Sequence, residues 1–270
     1  MKCVLCGATH FSPVWGLKRC VSCGLVQEVP MPSEKEIREL YYEDLEHFEP
    51  YIAQLAVHRE YFRKTLQTVI PDLIGNDKRP KLLDIGCAMG VLLEEAKKVG
   101  FQAQGIDISA DAVAYCRKKR LHVSQTWPES QFDVVTAFEI IEHERDPLAM
   151  MRRIHALLTT GGFAVLTTPN HDSIWRKIMG GWWVGYRHPE HVVFFDPRSL
   201  QILCKKAGFR DIEIRRDMPR PFPLSFAFYR LADYFPWLGW LLRPLGRVLD
   251  QFSLKNPINP WDDLIVIGRK

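Results

Sequence analysis

Residues 82–90 have the sequence LLDIGCAMG, and this stretch decides the fold. An apolar run leads into the acidic Asp84, and Gly86 and Gly90 then enclose a short turn before an amphipathic segment. Glycines allow the backbone to approach a ligand closely at the carboxyl end of a strand. A dinucleotide-binding turn has the pattern Gly-x-Gly-x-x-Gly, and Ala88 stands where its middle glycine is expected. The stretch therefore predicts a strand, a cofactor-binding turn of another kind, and a helix.

Outward from this stretch, short apolar runs alternate with amphipathic segments from residue 81 onward. This alternation is typical of βαβ units and predicts a parallel sheet in an α/β domain. We predict strands at residues 81–86, 102–108, 121–125, 132–140, 161–168, 210–216 and 264–269. The predicted helices between them are 91–99, 110–119, 147–158 and 197–207.

The first stretch resembles the first motif of the class I S-adenosylmethionine-dependent methyltransferases, with Ala88 in place of the central glycine. Asp107, at the end of the next strand, matches the acid that binds the adenosine ribose in that family. Residues 132–139 and 167–170 are similar to the ends of the family's fourth and fifth strands, and 263–270 to its last strand. The resemblance implies a Rossmann-like sheet of seven strands, mostly parallel with an antiparallel last strand, and S-adenosylmethionine as cofactor.

The same resemblance implies which residues bind the cofactor. Residues 124–130, which would lie near the adenine, form a shorter loop than is usual in the family. Thr126 and Trp127 are candidates for adenine contact, although Trp127 could equally fill the core. The predicted cofactor-binding residues are Asp84, Gly86, Cys87, Gly90, Asp107, Ile108, Thr126, Trp127, Ala137 and Phe138.

A cluster of acids and histidine, EIIEH at residues 139–143, follows the fourth strand. One helical turn would place Glu139, Glu142 and His143 on one face, and this donor set suits a hard or borderline divalent cation. The cluster resembles the metal-binding one of ubiquinone-pathway O-methyltransferases and of small-RNA 3′-terminal 2′-O-methyltransferases. A later histidine joins it in the RNA enzymes, and His191 matches that position better than His188. These residues are therefore candidate Mg or Mn ligands, while a strand cap that contacts the acceptor without metal stays the alternative.

Methyl transfer from a sulfonium depends mainly on the alignment of acceptor, methyl group and sulfur. A hydroxyl acceptor must also lose its proton, which a base or a metal ion assists. We predict Glu142, His143 and His191 as catalytic residues, with His143 or His191 as the base in a metal-free mechanism. Such a base is expected to titrate near ~6.5.

Two Cys-x-x-Cys-Gly knuckles stand near the N-terminus. Cys3 and Cys6 form one pair, and Cys20 and Cys23 the other. A tetrahedral zinc site needs four converging soft ligands, and each knuckle supplies two thiolates from one tight turn. Disulfides and a redox pair are the weaker alternatives. The four cysteines predict a closed, structural zinc ribbon.

The chain divides into three predicted regions. Residues 1–30 form the zinc ribbon, 31–75 a helical cap or linker, and 76–270 the methyltransferase domain. Ser33 and Glu36 match a capping box, and a second helix is expected from Tyr51 towards Ile70.

An insertion rich in aromatic residues and arginines, at about 218–260, precedes the last strand. One interpretation is a helical lid beside the active site, which we favour. The other is an interfacial segment that rests on a membrane and admits a lipid-linked acceptor. The prolines of this segment argue against a continuous amphipathic helix.

The composition is that of an ordinary globular protein, with 47% hydrophobic and 25% charged residues. The N-terminus has no apolar segment of the secretory type, and no apolar run has the length of a membrane span. These features predict a cytoplasmic protein, with membrane association on the cytoplasmic side as an extension. The net charge of +4 is modest and makes nucleic acid an improbable partner.

The sequence therefore favours an S-adenosylmethionine-dependent methyltransferase acting on a small-molecule, sugar or lipid-linked acceptor, most readily on oxygen. An RNA-modifying enzyme is the second hypothesis, supported by the ribbon and the acidic cluster. A non-catalytic module that retains the fold is the third, and the intact cofactor turn argues against it.

Overall fold

A computed structural model describes residues 1–41, 51–52, 55–69, 79–187, 190–216, 225, 228–229, 231–232, 235–251 and 262–270. Its strands are β1 Phe11–Val14, β2 Leu17–Cys20, β3 Val26–Gln27, β4 Lys81–Ile85, β5 Gln102–Ile106, β6 His122–Ser124, β7 Phe132–Phe138, β8 Leu158–Pro169, β9 Val193–Phe194, β10 Arg210–Arg215 and β11 Asp263–Arg269. Its helices are α1 Glu34–Tyr41, α2 Leu55–Val69, α3 Val91–Lys98, α4 Ala110–Lys118, α5 Pro147–Leu157, α6 Ile174–Met179, α7 Pro197–Ala207 and α8 Gly239–Gln251.

The main sheet has seven strands in the order β6-β5-β4-β7-β8-β11-β10. Strands β4 to β8 pair in parallel, and β11 is antiparallel to both of its neighbours. The sequence prediction of a mostly parallel, seven-stranded sheet with an antiparallel last strand is confirmed. The strand boundaries differ from the predicted ones by up to three residues, and the largest difference is that β8 begins three residues before the predicted residue 161 and runs through the Gly161–Gly162 pair.

The two faces of this sheet carry separate hydrophobic clusters. Leu82 and Leu83 are both fully buried but belong to different clusters, because successive side chains of a strand point to opposite faces. One cluster includes residues of α3 and α4, and the other includes residues of α5 and α7. The result is a sheet with helices on both faces, in which the carboxyl ends of the parallel strands meet at one edge.

The N-terminal region forms a second sheet, of order β1-β2-β3-β9. Its first three strands come from residues 11–27, whereas β9 comes from within the predicted methyltransferase domain. The division of the chain near residue 30 stays a prediction, but strand pairing crosses it.

The predicted helical cap is partly described. The N–H of Ser33 donates to a carboxylate oxygen of Glu36 at 2.7 Å, and the N–H of Glu36 donates to the Ser33 hydroxyl at 3.2 Å, which confirms the capping box. Helix α2 is fixed to α3 by Arg59, whose guanidinium lies 2.6 Å from Glu94 and 2.6 Å from Glu95.

Within the insertion, α8 runs for 13 residues with Pro244 in its interior. Pro244 does not end this helix, whereas Pro236 begins a separate turn just before it, and the expectation that prolines prevent one continuous helix across the insertion stays a prediction. A proline inside a helix removes one backbone hydrogen bond, and the flanking turns continue in spite of it. Among the described residues, no helix has the length and apolar character needed to cross a membrane.

Candidate active site

The candidate site lies where β4, β5, β6 and β7 end. These four strands are neighbours in the sheet and run in parallel, so the segments that follow them share one edge. The predicted cofactor-binding residues all lie on these strands or just beyond them. The topology therefore brings together side chains that the sequence separates by more than fifty positions.

Asp84 lies near the carboxyl end of β4 and is almost completely buried. One of its carboxylate oxygens accepts a hydrogen bond from the Thr136 hydroxyl at 2.7 Å. Burial raises the pKa of this carboxyl to about 7, and the nearby Asp107 also raises it. A cationic group placed against Asp84 would favour its carboxylate form.

Asp107 organises the turn that follows β4. One carboxylate oxygen accepts a hydrogen bond from the N–H of Ala88 at 2.8 Å, and the other accepts one from the N–H of Ser109 at 2.9 Å. Burial raises the pKa of Asp107, and these backbone donors oppose that effect. Asp107, which is predicted to bind the ribose, thus also holds the turn after β4 beside the end of β5.

The glycines of the turn are required by its backbone. Gly86 and Gly90 have φ values of 72° and 71°, and a Cβ at Gly86 would lie 2.1 Å from a side-chain carbon of Ile140. Ala88 also adopts a left-handed conformation, with φ of 44°. The replacement of the family's central glycine therefore places an L-residue in a region that costs about 1–2 kcal/mol.

The side chains of three predicted cofactor-binding residues pack against other parts of the protein. The Cys87 side chain is buried and lies close to Gly105, and Ala137 is fully buried in the core. Phe138 packs against Tyr61 and Phe62 of α2. Cys87 and Ala137 are thus placed to contribute main-chain rather than side-chain contacts.

Three further predicted cofactor-binding residues follow the ends of β5 and β6. Ile108 follows Asp107 and is 50% exposed, an apolar surface suited to a flat heterocycle. Its carbonyl accepts a hydrogen bond from the Gln125 amide at 2.8 Å. Thr126 is exposed, whereas the Trp127 ring is partly buried and stacks under the Arg153 guanidinium at 4.3 Å. Trp127 therefore fits the core-filling alternative better than adenine contact.

Tyr51, from the helical cap, is a residue of this site that the sequence analysis missed. Its ring stacks on His58 at 4.0 Å. Burial raises the pKa of its hydroxyl, and the carboxylates of Asp84 and Asp107 raise it further. Tyr51 also packs against the hydrophobic cluster that contains Leu82 and Cys87, so the cap covers this side of the sheet. Residue spacing predicted a helix here but gave no information about what that helix covers.

The second half of the site is the turn Ile141–His143, which begins just after β7. Glu142 is only 1% exposed, and neither of its carboxylate oxygens accepts a hydrogen bond within the described part of the chain. Burial raises the pKa of this carboxyl well above its ordinary value, and Glu139 adds to the effect. A buried carboxyl group without a hydrogen-bond partner is costly in a folded protein, which makes Glu142 a candidate for contact with a ligand.

Two histidines flank this carboxylate. The His143 and His191 rings are 4.7 Å apart, and one ligand atom from each lies within 4.8 Å of the other and of a Glu142 oxygen. Nδ1 of His143 lies 3.1 Å from the carbonyl of Glu190, and Nδ1 of His191 lies 3.1 Å from the carbonyl of Gly185. A carbonyl can only accept, so each Nδ1 carries a hydrogen, and in the neutral form of either ring Nε2 carries the lone pair.

The protonation state of His143 differs from the sequence-based expectation. Burial lowers the pKa of His143 to about 4, and the neighbouring His191 contributes to this shift. The predicted titration near ~6.5 is therefore too high for this environment. The ring is neutral at physiological pH and can act as a base or as a metal ligand.

Glu139 does not join the three-residue group. Its backbone is left-handed, with φ of 56°, and its carboxylate accepts a hydrogen bond from the Thr167 hydroxyl at 2.7 Å. A single helical turn over residues 139–143 does not form, so the predicted common face is wrong. His191 is brought to the group as predicted, while His188 lies outside the described residues.

The four N-terminal cysteines meet at a second point. The sulfur atoms of Cys3 and Cys23 are 3.5 Å apart, as are those of Cys6 and Cys20, and no disulfide joins them. A hydrogen bond from Cys23 lowers the pKa of Cys3 to about 5. Four ligands at about 2.3 Å from a tetrahedral zinc ion lie roughly 3.8 Å apart, so the spacing fits such a site.

The fold and the cofactor turn define an S-adenosylmethionine-dependent methyltransferase of the Rossmann-like class. The chain belongs to the methyltransferase domain family, which matches residues 56–214.

Curated relatives point in the same direction. The chain is 29% identical over 187 residues to the mitochondrial ubiquinone biosynthesis O-methyltransferase of Candida albicans, covering 63% of this chain and 55% of that protein. It is 28% identical over 184 residues to the ubiquinone biosynthesis O-methyltransferase of Leptothrix cholodnii, covering 61% of this chain and 77% of that protein. The match thus spans about half of the fungal enzyme and about three quarters of the bacterial one.

Solved structures show the same fold. An S-adenosylmethionine-dependent methyltransferase from Archaeoglobus fulgidus superposes with a TM-score of 0.55 and 20% sequence identity. That likeness covers 82% of this chain and all of the other.

Proposed function

We propose that this protein transfers the methyl group of S-adenosylmethionine to a hydroxyl oxygen of a small-molecule or lipid-linked acceptor. The observation that carries the proposal is the buried Glu142 carboxyl group, which has no hydrogen-bond partner within the described residues and lies next to His143 and His191. This group follows β7, adjacent in the sheet to the strand that bears the cofactor turn. The names of the curated relatives, which are O-methyltransferases, support oxygen as the atom methylated.

Different residues of the chain hold the cofactor and the acceptor. Asp84 and Asp107 fix the cofactor at the ends of β4 and β5, and the acceptor oxygen approaches from the side of Glu142. The oxygen–methyl bond forms as the sulfur–methyl bond breaks, and the hydroxyl proton passes to a base or to solvent. Most of the acceleration comes from holding the three atoms in line.

Glu142, His143 and His191 fit a divalent cation. The two imidazoles are oriented by backbone carbonyls, which is the usual outer support of a histidine ligand. One carboxylate and two imidazoles leave open coordination positions for an acceptor, and Mg or Mn is the ion we propose. When bound, such an ion lowers the pKa of a coordinated hydroxyl.

Chelation tests this proposal against the metal-free alternative. After treatment with a chelator that leaves the cysteine site loaded, methyl transfer should be lost while cofactor binding persists. Mg or Mn should restore transfer. If His143 is instead a metal-free base, chelation should have no effect. The rate should then fall only as the pH decreases towards about 4, where burial and His191 place its pKa.

We also propose that Cys3, Cys6, Cys20 and Cys23 bind one zinc ion with a structural role. Four sulfur ligands leave no open position for chemistry. The absence of a disulfide and the convergence of the four sulfur atoms both favour thiolate ligation.

We propose that helix α8 contacts the surface of a membrane, and that this membrane supplies a lipid-linked acceptor. Trp240 is 76% exposed, Leu241, Leu245 and Val248 are also exposed, and Trp237 just before the helix is 71% exposed. Exposed Arg243 and Arg247 lie on the same helix. Apolar and cationic residues together are typical of a helix that lies in the interface of an anionic bilayer.

Vesicle sedimentation tests this contact. The protein should sediment with vesicles that contain phosphatidylglycerol and less with pure phosphatidylcholine. Trp240→Ser should reduce the bound fraction several-fold, because one indole contributes much of the buried apolar area. Trp182→Ser, which removes an equally exposed indole elsewhere, is the control. Equal binding of wild type and Trp240→Ser would contradict a role for α8.

A further inference from the structure

The ribbon contacts the chain segments that carry His191 and Glu142 of the candidate active site. Its strand β3 pairs with β9, which begins two residues after His191. Next to this pairing, the N–H of Glu28 donates to the carbonyl of Val192 at 2.9 Å. The N–H of Val192 in turn donates to the carbonyl of Glu142 at 3.0 Å. Two successive main-chain hydrogen bonds therefore lead from the ribbon to the turn that carries the unsatisfied carboxylate.

Side chains reinforce this connection. Val26 of β3 is buried in a small cluster with Trp183 and Phe194. Arg19 of β2 forms an ion pair of 3.2 Å with Asp196, whose carboxylate also caps α7. The ribbon thus contacts both the segment before His191 and the segment after it.

His191 depends on these two segments. Its ring is held by the carbonyl of Gly185, two residues beyond Trp183. Its backbone continues directly into Val192, which the ribbon holds. Loss of the ribbon would release the backbone on one side of His191 and loosen the packing on the other.

We propose that the ribbon is the positioning element of the Glu142–His143–His191 group. Zinc occupancy at the four cysteines then determines whether that group can assemble and bind its divalent ion. The inference rests on the proposed zinc and divalent sites. Because β9 pairs with β3, the register and the distance of β9 relative to the ribbon are fixed. A small metal-dependent fold can therefore position residues that lie outside it.

The cofactor turn is expected to be independent of this connection. The described hydrogen bonds of Asp84 and Asp107 go to Thr136, Ala88 and Ser109, none of which belongs to the ribbon. Loss of ribbon structure should therefore weaken the Glu142–His143–His191 group and leave cofactor binding unchanged.

Hydrogen exchange and Mn²⁺ binding test the inference in the full-length protein. In Cys23→Ser, the amide of Val192 should lose protection, while that of Gly86, which donates to Ile106 at 2.8 Å, should keep it. Mn²⁺ affinity, followed by electron paramagnetic resonance, should fall by about 10–100-fold, as for other losses of outer support. S-adenosylmethionine affinity should not change. Val21→Ser, an exposed non-ligand in the same knuckle, should match the wild type.

A second variant covers the case in which Cys23→Ser does not fold. Val26→Ala keeps all four cysteines and should retain zinc, yet it should still weaken protection at Val192 and Mn²⁺ binding. Unchanged exchange at Val192 in both variants would overturn the inference. Wild-type protein that binds no Mn²⁺ would instead contradict the divalent site, and the exchange at Val192 would still decide whether the ribbon supports the turn.

Discussion

The Glu142→Ala, His143→Ala double variant is expected to lose at least ~100-fold in turnover, the scale of a lost proton-handling or metal-activated step. Cofactor affinity should stay at the wild-type level, because the contacts that hold the cofactor turn involve neither side chain. Turnover of isotopically labelled methyl groups and calorimetry of cofactor binding measure the two effects separately.

Two further variants keep this result interpretable. Glu142→Gln preserves the shape of the side chain and should not lower the melting temperature, because it removes a buried carboxyl for which no described residue supplies a hydrogen bond. Glu144→Ala, a carboxylate just beyond the same turn, should keep normal turnover. If the double variant kept wild-type turnover, the cluster would have no catalytic role and would only cap the end of β7.

Loss of zinc is expected to have the second large effect. The purified protein should hold about one zinc ion per chain, and Cys6→Ser should lower both zinc content and melting temperature. Structural zinc contributes on the order of 10 kcal/mol to the folding of isolated small zinc-binding peptides. Elemental analysis and calorimetric melting provide the two readouts.

Val21→Ser is again the matched control, because it lies between two ligand positions without being one. It should hold the same amount of zinc as the wild type. A protein with Cys3, Cys6, Cys20 and Cys23 all replaced by serine that still retained a full complement of zinc would refute the assignment.

The cofactor half of the site was predictable because its signals are local. Asp84, Gly86 and Gly90 lie within one strand and turn, where backbone geometry restricts the residue types. Asp107 is one βα unit away, and the parallel sheet returns it to the same edge. The resemblance to the family implied a mostly parallel, seven-stranded sheet with an antiparallel last strand, which the structure confirms.

The other half depended on contacts that no local pattern encodes. Glu139 is in a left-handed conformation, so the expected helical face of the acidic cluster does not exist. Strand β9 has only two residues, too short for any periodicity, and its pairing with the ribbon joins positions about 170 residues apart in the sequence. Tyr51 joins the cluster around Leu82 and Cys87 only through tertiary packing.

The most direct test of the central claim is transfer of an isotopic methyl label from S-adenosylmethionine to small molecules of a cell extract, read by mass spectrometry. The account predicts a wild-type-dependent product labelled on oxygen. Asp107→Ala should weaken cofactor binding by about 1.5–3 kcal/mol, as expected for lost charge-assisted hydrogen bonds, and should lose the product at low cofactor concentration. Label found in RNA, or no labelled product despite normal cofactor binding, would contradict the account.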